Sequence, residues 1–462
     1  MADQTVTIRF EGRPLACRDG TSVAAALWEH GVRTLSHSPK YGRPRGVTCA
    51  RGHCTACLMR IDGVPNVRTC ETPVRDGMTV TRQDPGAFYG APMQKVLAAG
   101  GSLFPVGFYY KWFTRPPFVS RSFLRAIRPL TGIGRLPDAV AGARALPAAA
   151  GAAVPARDLG RWDTVVVGAG AAGLRAAADA GGRVLVLDEN DAPGGLRLTA
   201  LRELAGGSAG ILDRMPTLQA ALDHLETAAA GLPASADLRC GWRVVAGYAP
   251  GGLLVRRGND LATLQADRVV WAAGAMDTLG LFAGNDTPGA LGPRALYRLL
   301  LRDRLRVEGR HALLVGSGLD LWLAAALLAA RGARISLVVA GGGHHAGIAA
   351  ALDMKWQLTT GLALQELARR GEDRLEAVFA PGGGGDTRLR LAAELAVLCG
   401  RGKPTCDVPY QLGVDLVLDP ARGGFVAPAA AVLPGGAAFA AVGEAAGLLP
   451  DEVLAADQEV AP

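Results

Sequence analysis

Residues 163–190 read DTVVVGAGAAGLRAAADAGGRVLVLDEN, and this stretch decides the fold of the larger part of the chain. A run of valines leads into three glycines, an alanine-rich segment and a second apolar run closed by acid. Strands buried on both faces read as continuous apolar runs, so the pattern is strand, glycine turn, helix and a second, parallel strand. Gly168, Gly170 and Gly173 have the spacing of a dinucleotide fingerprint. The first makes a tight turn, the second lets backbone approach a pyrophosphate, and the third lets helix and strand pack closely. A phosphate would meet the unpaired amides of the helix's first turn. Asp188 or Glu189 ends the second strand, where an acid accepts from a ribose hydroxyl. Gly194 and Gly195, just downstream, let a loop pass close to the same ligand. Glycines alone are a weak signal; strand, glycines, helix and terminal acid in this order make a bound dinucleotide the expectation.

A poorer copy occupies residues 311–340, HALLVGSGLDLWLAAALLAARGARISLVVA. Gly316 and Gly318 are present, but Leu321 stands where the third glycine belongs and Ala340 where the acid is expected. NAD(P) binding and a Rossmann-like unit kept for structure or docking stay equally open, which counts against a chain that draws electrons from NADH. The chain then returns through FAAVGEAAG at 439–447. One Rossmann-like domain interrupted by another explains this order, with expected bounds of 161–304, 305–395 and 396–462. Upstream, residues 96–160 change to proline, arginine and alanine and read as a connector. Within it FYYKWF, 108–113, concentrates aromatics in a chain that is only 5% aromatic. It serves either to anchor the connector on a domain or to edge a cofactor or subunit contact.

The first 95 residues have a different character. Val6, Ile8 and Phe10 alternate, Glu11 and Gly12 turn the chain, and a helix starts near Thr21 and ends about Gly31. Strands follow at 58–61 and 78–81. Between helix and strands, residues 48–70 read TCARGHCTACLMRIDGVPNVRTC and hold half of the chain's eight cysteines. Cys49, Cys54, Cys57 and Cys70 are spaced C-x4-C-x2-C-x12-C, and the first three match the plant-type ferredoxin run that wraps thiolates around a 2Fe-2S cluster. Gly46 and Gly52 keep the loop tight, and its amides can donate to the sulfurs. Zinc is the main alternative, but zinc sites usually pair two knuckles, whereas here three cysteines crowd one loop. His53 reads as a solvent-facing loop residue. Cys17, Cys240, Cys399 and Cys406 are scattered and read as buried, inert thiols.

At 462 residues there is room for two or three domains. The early Asp3 and Glu11, with no apolar h-region between them, lead to the expectation of a cytoplasmic protein, where clustered cysteines hold metal or do redox chemistry. The net charge of +7 is carried almost wholly by arginine. No dense basic tract accompanies it, so nucleic acid is not an expected partner. The longest uncharged run, 423–443, contains Pro428, Pro434, Gly435 and Gly436 and reads as loop and buried strand. Neither nucleotide unit carries a cysteine pair, which removes disulfide reductases of the thioredoxin-reductase kind. No general base announces itself.

The chain resembles the α subunits of heteromeric sarcosine oxidase and related amine, imino-acid and opine dehydrogenases. The likeness lies in SPKYGRPRGV (38–47), PNVRTCETPVRDGM (65–78), FPVGFYYKWF (104–113), VVVGAGAAGLRAA (165–177) and AAGAMDTLGLFAGNDTPGAL (272–291). The four cysteines place it with the cluster-bearing branch, similar to hydrogen cyanide synthase and hydroxyproline dehydrogenase subunits. The resemblance implies an α/β architecture: an N-terminal β-grasp 2Fe-2S ferredoxin-like domain followed by a flavoprotein fold with two dinucleotide-binding domains, as in glutathione reductase. It implies FAD, with NAD as the alternative, at Gly168, Gly170, Gly173 and the acid at 188 or 189, and adds Gly274. The family's closing Gly-Asp falls on Gly443 and Glu444, one methylene longer. It also implies a flavin-containing β subunit of the D-amino-acid-oxidase type, an optional small γ subunit, and an FMN at the α/β interface. Substrate oxidation is then expected in the partner, with no catalytic residue in this chain and attachment to the inner face of the membrane only through the complex. Tetrahydrofolate chemistry is not expected. A self-contained NAD(P)H-dependent ferredoxin-type reductase and a scaffold with structural nucleotides are the alternatives.

Overall fold

Alternate side chains of a strand face opposite ways, and Val6, Ile8 and Phe10 are buried while Thr5, Thr7 and Arg9 face solvent. In the computed structural model, which describes residues 4–38, 43–83, 116–127, 156–207, 210–258, 260–340, 345–371, 373–381 and 388–448, this strand lies inside a five-stranded sheet. Thr5–Phe10 pairs antiparallel with Arg13–Arg18 and parallel with Thr79–Thr81, and Leu58–Ile61 and Val64–Arg68 complete the sheet. Glu11 and Gly12 both have positive φ, as a two-residue hairpin turn requires. The helix Val23–Glu29 starts at Ser22, whose Oγ accepts the Ala25 N–H at 3.2 Å. Six of its residues, Val23 to Trp28, are buried against the sheet. This is the β-grasp arrangement, with a helix shorter at both ends than the span from Thr21 to Gly31. The domain end at 95 and the aromatic segment 108–113 lie outside the described residues.

The fingerprint stretch forms the centre of an eight-stranded sheet. Arg157–Val167 runs parallel to Val184–Asp188, which runs parallel to Asp237–Cys240. On its other side lies the twelve-residue strand Asp260–Trp271, itself parallel to the returning Ala438–Ala441. Arg243–Tyr248 and Gly252–Arg257 form an antiparallel meander that feeds into Asp260–Trp271. The helix Ala171–Ala178 makes the first crossover.

The second unit has five parallel strands in the order Ala290–Leu291, Leu395–Cys399, His311–Gly316, Arg334–Val339 and Gln357–Thr360. It therefore reaches beyond 305–395 at both ends. Every residue of Leu395–Cys399 is buried, so its backbone must be paired on both sides, and it inserts between Ala290–Leu291 and His311–Gly316 to achieve this. A three-stranded antiparallel sheet, Leu362–Arg369, Leu375–Pro381 and Leu389–Ala393, is inserted in the chain between Gln357–Thr360 and Leu395–Cys399. The helix Leu319–Ala330 is apolar all round except for Asp320 and is buried from Leu319 to Leu328, as such a helix must be. Its Leu321, in the place of the third glycine, is fully buried.

One apolar core runs from Ile8, Leu27 and Met59 of the β-grasp domain through Leu198, Leu201 and Leu218 to Leu296, Leu321 and Leu327. The β-grasp domain therefore does not hang from a tether; it shares its interior with helices of both nucleotide units.

The fold makes a direct prediction about two glycines. A Cβ at Gly173 would lie 1.9 Å from the Gly168 carbonyl oxygen, whereas one at Gly206, the last residue of the helix Gly195–Gly206, meets nothing within 4 Å. Gly173→Ala is expected to destabilise by about 1–3 kcal/mol, while Gly206→Ala stabilises by up to about 1 kcal/mol. Thermal unfolding of the two variants beside the parent checks this.

Candidate functional site

The fingerprint glycines each meet a different demand. Gly168 has φ +107°, and a Cβ there would fall 2.3 Å from the Ala272 carbonyl oxygen. Gly170 precedes the helix Ala171–Ala178, and nothing lies within 4 Å of where its Cβ would be. Gly194, at φ +100°, donates its N–H to the Ala169 carbonyl at 2.6 Å. A Cβ on Gly195, at φ +73°, would lie 3.7 Å from the Gly170 Cα. Together they border a cavity of about 510 Å³, within the range of cofactor pockets. Gly274 and Glu444 line it too, as do Gly173, Asp188 and Glu189. Gly443 is buried behind the wall, where it opens the turn Gly443–Ala446.

The two neighbouring acids have separate roles. Asp188 turns inward and accepts from the Ala169 N–H at 2.6 Å, the Asn190 N–H at 2.7 Å and Asn190 Nδ2 at 2.8 Å. Burial pushes its carboxyl up, against the pull of these donors. It fixes the turn, while Glu189, which lines the same cavity, is held by cations instead. Three arginines surround that carboxylate: Arg51 at 3.1 Å, Arg243 at 2.9 Å and Arg298 at 3.3 Å. Burial alone would raise Glu189; Arg51, Arg298 and Arg243 outweigh it and hold the group below its usual range. Arg298 is brought down to about 10 by burial and by Arg51.

Across the cavity, Glu444 belongs to a buried charge network. Arg197 donates to both oxygens of Asp320, at 2.8 and 2.7 Å, and to both of Glu444, at 2.8 and 3.1 Å. Arg294 donates to Glu444 and, at 2.9 Å, to Asp277, and the Tyr297 hydroxyl donates to Asp320 at 3.1 Å. Burial would raise Asp320, but Arg197 and Arg294 bring it down to about 2. The longer side chain of Glu444 is thus already engaged by two guanidiniums. Asp320 is the charged residue of the buried helix Leu319–Ala330, so this network docks the second unit on the first. Gly316 and Gly318 precede that helix, a Cβ at Gly316 would lie 1.9 Å from the Cys399 carbonyl oxygen, and Leu319 forms part of the wall of the first cavity.

The cysteine loop forms another wall. Arg51, Gly52 and His53 line the same cavity, and His53 is exposed. Cys49 Sγ lies within hydrogen-bonding reach of Cys54 and Cys70, and Cys70 within reach of Cys57. The Cys54 N–H points at Cys49 Sγ at 3.4 Å, and the Arg51 amide also serves it. Among the described residues no three His, Cys, Asp or Glu side chains gather round a single ion. The four thiols are mutual neighbours, Cys49 of Cys54 and Cys70, and Cys70 of Cys57, and a two-iron cluster would take two thiolates on each iron. Arg302 donates to the Ala50 carbonyl at 3.2 Å and the Cys70 carbonyl at 2.8 Å, binding both ends of the ligand set. Glu71, beside Cys70, lies over Gly52 and accepts from Arg243 at 2.9 Å. Of the scattered cysteines, Cys17, Cys399 and Cys406 are buried as expected, while Cys240 is only half-buried.

The sequence pattern did not reveal Arg51, Arg197, Arg243, Arg294 or Arg298. One signal was available: Arg294 and Arg298 stand four apart in PRALYRLLL, on one face of an otherwise apolar helix.

Residues 3–85 match the 2Fe-2S iron-sulfur cluster binding domain family. Over 75 residues the chain is 40% identical to the HcnA subunit of hydrogen cyanide synthase from Pseudomonas aeruginosa, covering 16% of this chain and 71% of that one. Over 343 residues it is 26% identical to the alpha subunit of sarcosine oxidase from Rhizobium meliloti, covering 64% of this chain. The chain belongs to an α-subunit-like family with a 2Fe-2S domain, that of HcnA, and over its greater length is similar to sarcosine oxidase α subunits. This α-like chain spans 30% of the length of that sarcosine oxidase subunit. Its fold is similar to that of L-proline dehydrogenase from P. horikoshii, with a TM-score of 0.57 at 16% identity over 96% of this chain and 69% of the other. The expected architecture, a 2Fe-2S ferredoxin-like domain on a two-unit dinucleotide-binding fold, is therefore present.

Removing one partner of a buried ion pair strands the other charge, and Arg197→Met is expected to cost about 3–5 kcal/mol. The pH dependence has a defined sign. Asp320 is depressed from 3.8 to about 2 and Glu444 is also depressed, so their contribution is full above the ordinary carboxylate range and is lost as pH falls towards 2. Urea unfolding between pH 7 and pH 3 is expected to show an acid limb that Arg197→Met flattens.

Proposed function

We propose that this chain is the electron-transfer α subunit of a heteromeric flavin-dependent dehydrogenase or oxidase. A partner β subunit of the D-amino-acid-oxidase type, carrying its own flavin, oxidises the C–N bond of a secondary amine or amino acid. One observation carries this reading: the cysteine loop is itself a wall of the nucleotide cavity, through Arg51, Gly52 and His53. A one-electron centre and a two-electron cofactor have reason to be neighbours when electrons pass between them. The relatives' names support the substrate class, since sarcosine oxidase, L-proline dehydrogenase and the opine oxidase of Rhizobium meliloti all name amine or amino-acid substrates.

Cys49, Cys54, Cys57 and Cys70 would hold a 2Fe-2S cluster, which when bound accepts and releases electrons one at a time. The chain's own residues position and compensate. Loop amides donate to the sulfurs, and Arg302 closes the ligand set against the rest of the fold. The cavity takes an adenine dinucleotide, FAD in the first instance and NAD as the alternative. Gly168 and Gly170 would cradle its pyrophosphate, with Gly173 packing the helix close enough to the strand for this, Glu189 would accept from its ribose, and Gly194, Gly195 and Gly274 would give it clearance. Glu444, at Gly443, orients Arg197 and Arg294 towards the same space. An FMN between the subunits and a small γ subunit complete the assembly. Among the described residues no helix is long and apolar enough to cross a membrane. We place the complex in the cytoplasm, with any membrane contact made through the assembly.

The test is anaerobic. The tagged chain is purified alone and together with the flavoprotein that accompanies it from its own host. Dithionite is expected to produce the paramagnetic resonance signal of a reduced 2Fe-2S cluster in both, and Cys57→Ser to abolish it. Sarcosine or proline should produce the signal only in the complex. Reduction of the isolated chain by an amine would refute the division of labour, and reduction by NADH alone would make the chain a self-contained reductase.

A further inference from the structure

Glu189 is shared between two sites. It faces the nucleotide cavity, yet its cations come in part from the cysteine loop. Arg51, two residues after Cys49, pairs with it at 3.1 Å. Arg243 spans from Glu189 to Glu71, the residue after Cys70, at 2.9 Å on each side. The side chain of Arg51 is only 12% exposed, and its Nε is buried without an acceptor.

We propose that Glu189, Arg51 and Arg243 couple the nucleotide cavity to the cluster loop, so that nucleotide binding raises the reduction potential of the cluster. This rests on the proposed reading that the cavity takes an adenine nucleotide and the four thiols a 2Fe-2S cluster. The lone pairs of a carboxylate are limited, and Oε1 already serves Arg51 and Arg298 while Oε2 serves Arg243. About one of the four lone-pair sites is left, and the two ribose hydroxyls arriving at the cavity need more than that. Their arrival loosens the hold of Glu189 on Arg51 and Arg243, whose positive charge is then less cancelled on the side of the thiolates. Reduction adds one electron, and so one negative charge, to that side, and a nearby cation freed from its counter-ion favours the added charge. The relation is reciprocal: reduction of the cluster tightens nucleotide binding by the same factor by which nucleotide shifts the redox equilibrium. Arg51 is a positioning residue here, acting through Glu189 on the ribose and through its charge on the cluster.

The experiment uses the cluster-loaded full chain stripped of nucleotide, with ADP as the probe. ADP affinity is measured by calorimetry on oxidised and dithionite-reduced protein, and the midpoint potential by paramagnetic resonance during a redox titration. The expected result is an ADP affinity about tenfold higher for the reduced protein, equivalent to a rise of about 59 mV for a one-electron couple. 2′,3′-Dideoxy-ADP, which lacks the hydroxyls that compete for Glu189, is expected to bind with no shift. Arg51→Gln is expected to bind ADP with no shift and to keep its cluster by spin count. A potential that stays level or falls when calorimetry shows ADP bound overturns the coupling, as does an undiminished shift with the dideoxy analogue. Failure of ADP to bind at all overturns the reading of the cavity itself, a different and separately visible outcome.

Discussion

A carboxylate buried at the end of a strand must be paired or neutralised, because an isolated charge in the interior costs far more than a fold can spare. Glu189 meets that demand with guanidiniums from three separate places: the cysteine loop, the meander strand Arg243–Tyr248 and the helix Pro293–Leu301. One acid therefore ties together the β-grasp domain, the first nucleotide unit and the second, which also share an apolar core. Arginine suits the task better than lysine, since its planar fork can serve two partners at once and stays charged when buried. Arg243 and Arg197 both use it so, which gives a structural reason for a cationic complement that is almost wholly arginine.

The second constraint stands across the cavity. Asp320, Glu444, Arg197, Arg294 and Asp277 form one buried ion-pair network, and it ties the helix Leu319–Ala330 to the first unit. The helix after the second glycine turn is apolar apart from Asp320 and buried, with Leu321 in the core. The two copies of one motif have diverged physically: the first keeps an open side at Gly170, and the second spends its helix on docking.

Features set by local spacing were legible in the sequence. The glycine turn, the flanking strands, the cysteine loop and the hairpin at Glu11 and Gly12 each depend on residues within a few positions of one another. The choice between Asp188 and Glu189 was not legible, because adjacent residues at a strand end differ only in the side they face, and that side is set by the Ala169 and Asn190 amides. The arginines that build the site were hidden for another reason. Arg51 and Glu189, or Arg197 and Glu444, meet only after folding, and no spacing announces them. The limits of the second unit were missed similarly, since Ala290–Leu291 and Leu395–Cys399 are short apolar runs whose membership depends on the strand beside them. The family likeness supplied the order of the domains, and the structure supplied the contact between the cysteine loop and the cavity.

If the cysteine loop and the nucleotide cavity form one relay for electrons that originate in a partner, the cluster must change redox state within each catalytic cycle. Rapid freeze-quench paramagnetic resonance of the complex during turnover with an amine tests this most directly. The reduced-cluster signal is predicted to rise and decay at least as fast as the complex turns over. A cluster that stays oxidised through many turnovers, or that is reduced more slowly than product forms, would contradict the relay and leave the chain a scaffold.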